Sequence, residues 1–226
     1  MCINFKKRYK YKAFTLAEVL ITLLIIGVVS SLVIPAIIND TQEAEYKAAW
    51  KKVYADLSQA TTLLLNDNAS DFTGIFTNTN ILRDSYLQHL SYSKKCDYAA
   101  NTAGNCWVND GIAKLLNGNA FPYSSSGTAG AVLNNGVLLK FETNGSDTVN
   151  CIKIAWWGNM PKCGIIHVDV NGFKAPNMLG KDIYFIQIVK NGIKPMGTIG
   201  DSNENTCNIT SGSVSGWGCA AKYLYQ

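Results

Sequence analysis

The chain has little charge. Of its 226 residues only 16 % are Asp, Glu, Lys or Arg, against about 25 % in an ordinary soluble domain. Part of the deficit lies in one N-terminal apolar block, and the rest in a body rich in Asn, Gly, Ser and Thr. Histidine is scarcer still, with only His89 and His167. There is no Walker A motif, dinucleotide fingerprint or His-Glu-x-x-His, which removes the nucleotide-binding and zinc-protease signatures that such motifs carry. No C-x-x-C pair is present, and no fixed-period repeat points to a solenoid.

The charge that is present is unevenly placed. The formal balance is +4. Lys6, Lys7, Arg8, Lys10 and Lys12 precede Phe14 with no acid among them, and without residues 1–13 the balance falls to −1. The body therefore has no basic bias towards nucleic acid. The N-terminal cluster reads as a flank that holds this end on the cytoplasmic side of a membrane.

Seven cysteines occur. The odd count resolves if Cys2 leaves with an N-terminal leader. Cys96, Cys106, Cys151, Cys163, Cys207 and Cys219 then form an even set, as expected of disulfides made in an oxidising compartment. Six cysteines allow 15 connectivities. Sequential local pairing, Cys96–Cys106, Cys151–Cys163 and Cys207–Cys219, is the one expected here. Buried free thiols are the competing reading. Zinc is a weaker one, because the spacings are unlike paired ligand spacing.

From Phe14 to Ile38 the chain reads FTLAEVLITLLIIGVVSSLVIPAII, with Glu18 its only ionisable side chain. Val19 to Ile38 is close to the roughly 20 residues a helix needs to cross ~30 Å of hydrocarbon. The run is too long for the core of an ordinary signal peptide, and no clear small-x-small site follows it. An ordinary signal anchor fits the length but not Glu18, since an unpaired carboxylate near the start of a spanning helix costs a few kcal/mol.

The stretch Lys12-Ala13-Phe14-Thr15-Leu16-Ala17-Glu18-Val19-Leu20-Ile21 resembles the processing motif of type IV prepilins and type II secretion pseudopilins. The resemblance implies cleavage between Ala13 and Phe14 and N-methylation of Phe14. It also implies assembly through the apolar helix, with Glu18 the acid five residues into the mature chain. The family usually has Gly before the cut, where this chain has Ala13, another small residue. A cationic amine at Phe14, on a neighbour or on the same chain, would offset the cost of burying Glu18 and set register. Simple snorkelling of Glu18 to the interface is the alternative. Pro35 sits where many members carry a helix-loosening proline, and a bend near it is expected.

Beyond the apolar block, Tyr46, Trp50, Val53, Leu57, Ala60 and Leu64 trace one helical face. One helix from about Phe14 to Leu65 is predicted, ended by Asn66-Asp67-Asn68. Residues 66–130 are hard to place, with short helices possible at Ile81–Leu90 and Gly111–Leu116. The resemblance makes this a variable loop region. Three Asn-Gly pairs then mark type I′ turns. They separate Ala131–Leu133 from Val137–Phe141, Ile165–Val170 from Phe173–Lys174, and Ile183–Val189 from Ile193. The expected fold is α+β: a long N-terminal helix, transmembrane in its first half, packed on a C-terminal antiparallel sheet as in pilins. The expected organisation is a leader at 1–13, a membrane and assembly helix at 14–38, an amphipathic continuation at 39–66 and a disulfide-containing extracytoplasmic domain at 67–226.

Candidate chemistry in the body is sparse. Neither histidine has a Cys or carboxylate at helical metal spacing, so both read as structural. The stretch GSVSG at 212–216 has Val214 where a Gly-x-Ser-x-Gly elbow carries its serine, and it lies between two cysteines without the strand–turn–helix setting of a nucleophile elbow. Trp156, Trp157 and Trp217 read as core residues and not as a base-stacking platform. Asp169-Val-Asn171-Gly172 with Pro176-Asn177, Gly180 and Asp182 looks like a stretch found in some pseudopilin-like proteins. The resemblance makes Asp169, Asn171 and Asp182 candidate calcium ligands, and oxygen donors suit that ion. Gly172, however, follows Asp169 by three residues and not by the five of an EF-hand. A turn in which Asp182 caps backbone amides is the competing reading.

These observations point to a non-enzymatic structural subunit, a pseudopilin or minor pilin of a type II secretion or pilus-like filament. It has no resident cofactor unless calcium binds. A tip adhesin using residues 66–130 is the second reading, and a tethered extracytoplasmic enzyme the third. The partners implied by the resemblance are a prepilin peptidase/N-methyltransferase, other pilin or pseudopilin subunits, an inner-membrane assembly platform and membrane lipid. The implied location is the bacterial inner membrane, single-pass, with the body outside.

Overall fold

A helix whose apolar residues go all round in one half and down one side in the other must meet two surroundings. Helix α1 (Leu16–Asp67) is of this kind. The computed structural model describes residues 14–97, 102–122, 127–154, 159–207 and 215–225, with no side-chain description at 35, 36 and 39. It divides into two units, Met1–Gln42 and Glu43–Gln226.

In the first unit α1 is continuous through Pro35. Leu16–Ile34 is long and apolar enough to cross a membrane, at about 28 Å for 1.5 Å per residue. Its large apolar side chains are exposed on every side. The Thr22 and Ser31 hydroxyls donate to the carbonyls of Val19 and Val28 at 2.9 and 2.8 Å. Neither hydroxyl is therefore left without a partner where no water is available.

In the second unit Trp50, Val53, Leu57, Ala60 and Leu64 are all buried, while Lys51 and Lys52 on other faces are exposed. The helix ends where Asn68 Nδ2 donates to the Leu64 carbonyl at 2.7 Å and the Ser70 amide to that of Leu65 at 2.8 Å. Helix α2 (Thr79–Leu87) follows, capped by Asn78 on the Ile81 amide. It is joined to α1 by a 2.9 Å hydrogen bond between the Tyr86 and Thr61 hydroxyls.

Six strands then form one antiparallel meander in chain order: β1 (Tyr92–Cys96), β2 (Ala129–Leu133), β3 (Leu138–Glu142), β4 (Gly164–Asp169), β5 (Ile183–Val189) and β6 (Gly192–Pro195). Short helix α3 (Gly145–Val149) lies between β3 and β4, and α4 (Cys219–Tyr225) packs on β5 and β6. Trp50 Nε1 donates to the Ala220 carbonyl at 3.0 Å, pinning α4 to α1. Both outer strands carry lysines: Lys94 and Lys95 on β1, Lys194 on β6 with Pro195. These residues discourage edge-to-edge pairing.

Alternation along the strands gives the sheet two buried faces. Leu139, Phe141, Ile166, Val168, Tyr184, Ile186 and Ile188 meet the helices in the main core. Leu138, Ile165, Ile183 and Phe185 point the other way, under Trp107, Val108, Leu179 and Met196 from loops. This second core is not expected from the sequence. It explains why β4 is buried at every position, as a strand covered on both faces must be. Trp217 belongs to the same layer, 4.9 Å from Phe185 between ring centroids. Trp156 and Trp157 lie outside the described residues.

Two local expectations are corrected. Gly111–Leu116 is not a helix: Gly111–Ile112 is a turn, and Lys114 makes isolated bridges to Ala120 and Met178. Asn171–Gly172 does not close a hairpin onto Phe173–Lys174. Strand β4 pairs instead with β5, with Asp169 opposite Ile183, across a loop of residues 170–182. Gly172 has φ +75°, and a Cβ there would come within 2.7 Å of the Gly136 carbonyl oxygen. The pair serves a close approach between two turns and not a hairpin.

Candidate functional sites

The start of α1 is built by its own side chains. The Thr15 amide and hydroxyl donate to Glu18 Oε2 at 2.8 and 2.9 Å. The Glu18 amide donates back to the Thr15 hydroxyl at 3.2 Å. This reciprocal Thr-x-x-Glu arrangement is a capping box, which satisfies helix-start amides that no preceding turn reaches. The spacing is visible in the sequence, although the role expected of Glu18 there is only that of a partner for an amine. One Glu18 oxygen remains outside these bonds, so capping and pairing with a Phe14 amine are compatible. Phe14 is 85 % exposed. Ala13 and the basic leader lie outside the described residues.

Three disulfides, Cys96–Cys106, Cys151–Cys163 and Cys207–Cys219, staple the body. The first ties β1 to the segment before Trp107, the second ties the end of α3 to the start of β4, and the third ties the loop after β6 to α4. Each closes a short loop and contributes about 3 kcal/mol by restricting the unfolded chain.

The β4–β5 loop brings Asp169, Asn171 and Asp182 together. Asp182 accepts the Asn177 and Met178 amides at 2.8 and 2.6 Å, so it does cap the loop. Asp169 Oδ1 accepts the Asn171 amide at 3.2 Å. Asn171 Nδ2 donates to the Ala175 carbonyl and to the Tyr46 hydroxyl of α1. What remains are oxygens: Asp169 Oδ2, Asn171 Oδ1 and Asn177 Oδ1 are buried without a hydrogen-bond partner. Burial, then the charge of Asp182, pushes the Asp169 carboxyl well up from the ordinary carboxylate range. Burial also raises Asp182, against the amides that it accepts. An all-oxygen donor set of this kind suits a hard divalent cation such as calcium. It is not carboxylate-rich: no group of three His, Cys, Asp or Glu suited to a metal occurs among the described residues.

Tertiary structure gives His167 a partner that helical spacing does not suggest. Its Nε2 lies 2.9 Å from Glu142 Oε2 across β3 and β4. His89 follows α2, its amide on the Tyr86 carbonyl. In the GSVSG stretch residues 212–214 lie outside the described residues, and the Ser215 carbonyl accepts the Leu116 amide at 3.1 Å.

Residues 8–34 match the family model described as the prokaryotic N-terminal methylation motif. No curated protein and no solved structure matches the chain. An apolar helix leading into an α+β body with an antiparallel sheet is a pilin-like arrangement. The matched segment is the prepilin-cleavage signature of type IV pilins and pseudopilins, and the chain carries it. That motif implies processing by a prepilin peptidase and assembly with other pilin subunits.

Proposed function

We propose that the chain is a structural, non-catalytic subunit, a pseudopilin or minor pilin, of a type II secretion or type IV pilus-like filament. The observation that carries this reading is the joint occurrence of the methylation motif, the capped Glu18 start and the bare apolar helix Leu16–Ile34. Cleavage before Phe14 removes the basic leader and leaves a methylated amine free to meet Glu18. The helix resides in the inner membrane as a single pass until subunits are drawn into a filament by the assembly platform. The basic flank keeps the leader cytoplasmic, and the three disulfides support a body in an oxidising, extracytoplasmic compartment. Co-expression with a prepilin peptidase followed by N-terminal mass analysis tests it. The expected product begins at methylated Phe14, and a chain that never begins there sinks the reading.

The orphaned oxygens of the β4–β5 loop favour a second statement about the same body: it takes up one calcium ion at Asp169, Asn171, Asn177 and Asp182. Thermal unfolding with calcium, with magnesium and with chelator checks it. A calcium-specific rise in midpoint that Asp169→Asn removes is expected. An unchanged midpoint in the unsubstituted protein disposes of it.

A further inference from the structure

Among the described residues Ile199 is the most exposed large apolar side chain, at 89 %. Its turn, between β6 and α4, is nevertheless tied to three other parts of the body. Asp201, itself buried, accepts the Gly197 amide at 2.9 Å and Gln187 Nε2 of β5 at 2.7 Å. Asn159 Nδ2 donates to the Gly200 carbonyl at 2.8 Å, and Glu204 Oε2 accepts the Gly200 amide at 2.9 Å. Gly197 and Gly200 have φ of +87° and +85°, a backbone that other residues rarely adopt. One aliphatic side chain is thus presented to solvent on a built support, so little ordering remains for a partner to impose. Tyr225 of α4, 69 % exposed, lines the same surface with Lys222 and Glu204.

A hollow of about 320 Å³ lies at the other end of the strand order. Its apolar lining is Leu63, Leu90 and Leu133, and Lys52 and Asp56 of α1 line it too. Leu63 is 41 % exposed and lies off the buried stripe of α1, so the core of the body does not account for it. The Ile199 turn follows β6, whereas the hollow lies where β1 begins and β2 ends. Five strand spacings, about 24 Å, separate β1 from β6. A contact between the two places therefore joins different copies head to tail, the heterologous kind that builds rings or open filaments. The charges are complementary as well. Lys52 and Asp56 stand one helical turn apart, so Glu204 of one copy can meet Lys52 of the next while Lys222 meets Asp56.

We propose that Ile199 is a body-to-body anchor: it seats in the Leu63–Leu90–Leu133 hollow of a second copy of this chain, with Lys222 set against Asp56 and Glu204 against Lys52.

The anchor rests on the pilin-like reading above in one respect, that apolar helices hold copies side by side. A contact centred on one side chain falls below the roughly 1,000 Å² of a stable free interface. It fills where a shared membrane or filament raises the effective concentration of bodies towards the millimolar range.

Photo-cross-linking tests this in membranes that contain the full chain co-expressed with a prepilin peptidase, with benzoylphenylalanine in place of Ile199. Irradiation should give a species of twice the chain mass, cross-linked to residues 52–63, 89–91 or 133–135 of the other copy. Placed instead at Leu63, the probe should label residues 197–205 of the other copy. Lys222→Glu should lower the yield by up to about fivefold, and Asp56→Lys added to it should restore the yield. An adduct with lipid, with a different protein or between two copies of position 199 overturns the anchor. So does the lack of an adduct from both probe positions, or a yield that Lys222→Glu leaves unchanged. The N-terminal mass of the same sample reads processing at Phe14 separately, which tells failure of the contact from failure of the pilin-like reading.

Discussion

The two halves of α1 obey one backbone geometry and opposite solvation rules. From Leu16 to Ile34 nearly every side chain is apolar and exposed. From Tyr46 to Leu64 one apolar stripe, with Trp50, Val53, Leu57, Ala60 and Leu64 buried, packs in the core with α2, α4 and the sheet. Only the second half is stabilised by its own chain. The first half is apolar on every side, the pattern of a helix suited to lipid or to other apolar helices. Its two ends also use polar groups differently. Thr15 and Glu18 satisfy each other locally, whereas Trp50 reaches a carbonyl 170 residues away.

The largest test of this contrast is Trp50→Ala. The indole is fully buried, stacked 4.7 Å from Tyr184 and bonded to Ala220. Its loss should cost the body about 4 kcal/mol in denaturant unfolding. Leu24→Ala in the first half should change the same measurement by less than about 0.5 kcal/mol. Comparable costs at both sites would mean that the halves are not energetically separate.

Next in size is Cys151→Ser with Cys163→Ser, expected to lower body stability by about 3 kcal/mol. That loss should leave the exchange behaviour of residues 16–34 unchanged. Asp169→Asn should act in the opposite direction. In calcium-free buffer the native loop buries the Asp169 carboxyl beside Asp182, which raises it well above the ordinary carboxylate range, whereas the unfolded chain hydrates it freely. Because the native value is raised, stability increases as pH falls through it towards the ordinary carboxylate range. The Asn variant should therefore melt higher than the parent at pH 7, by about 1 kcal/mol of stability, and should lose that acid-induced gain. The most local effect belongs to Thr15→Ala. It should weaken the start of α1 by about 1 kcal/mol, seen as faster amide exchange at residues 16–18 in micelles, with no change in body melting.

Part of the fold is legible in the residue order. The Tyr46–Leu64 stripe, the end of α1 near Asn66–Asn68 and the places of the turns at Asn135–Gly136 and Asn191–Gly192 follow from short-range periodicity and turn residues, but the turns are not type I′, because φ is positive at the glycines and not at Asn135 or Asn191. Asn171–Gly172 misleads because Asn-Gly marks positive φ, and this pair spends it on packing against Gly136. Gly111–Leu116 misleads because a few helix-compatible residues have no nucleus of their own, and bridges to Ala120 and Met178 decide their conformation. Helix α4 and the loop-side core give no periodic signal at all, being short or irregular segments held by Trp50, Phe185 and a disulfide.

The sequence by itself determined the membrane-competent helix, the N-terminal methylation motif and the amphipathic stripe. Each depends on residues within a few positions of one another, or on hydrophobic period. Only the tertiary structure decided that Glu142 meets His167, that Lys140 lies buried near the Trp107 ring, and that the oxygens of Asp169, Asn171 and Asn177 are buried without partners. Those outcomes depend on strand register and on which loop covers which face. Both arise from long-range packing, where no local rule selects the neighbour.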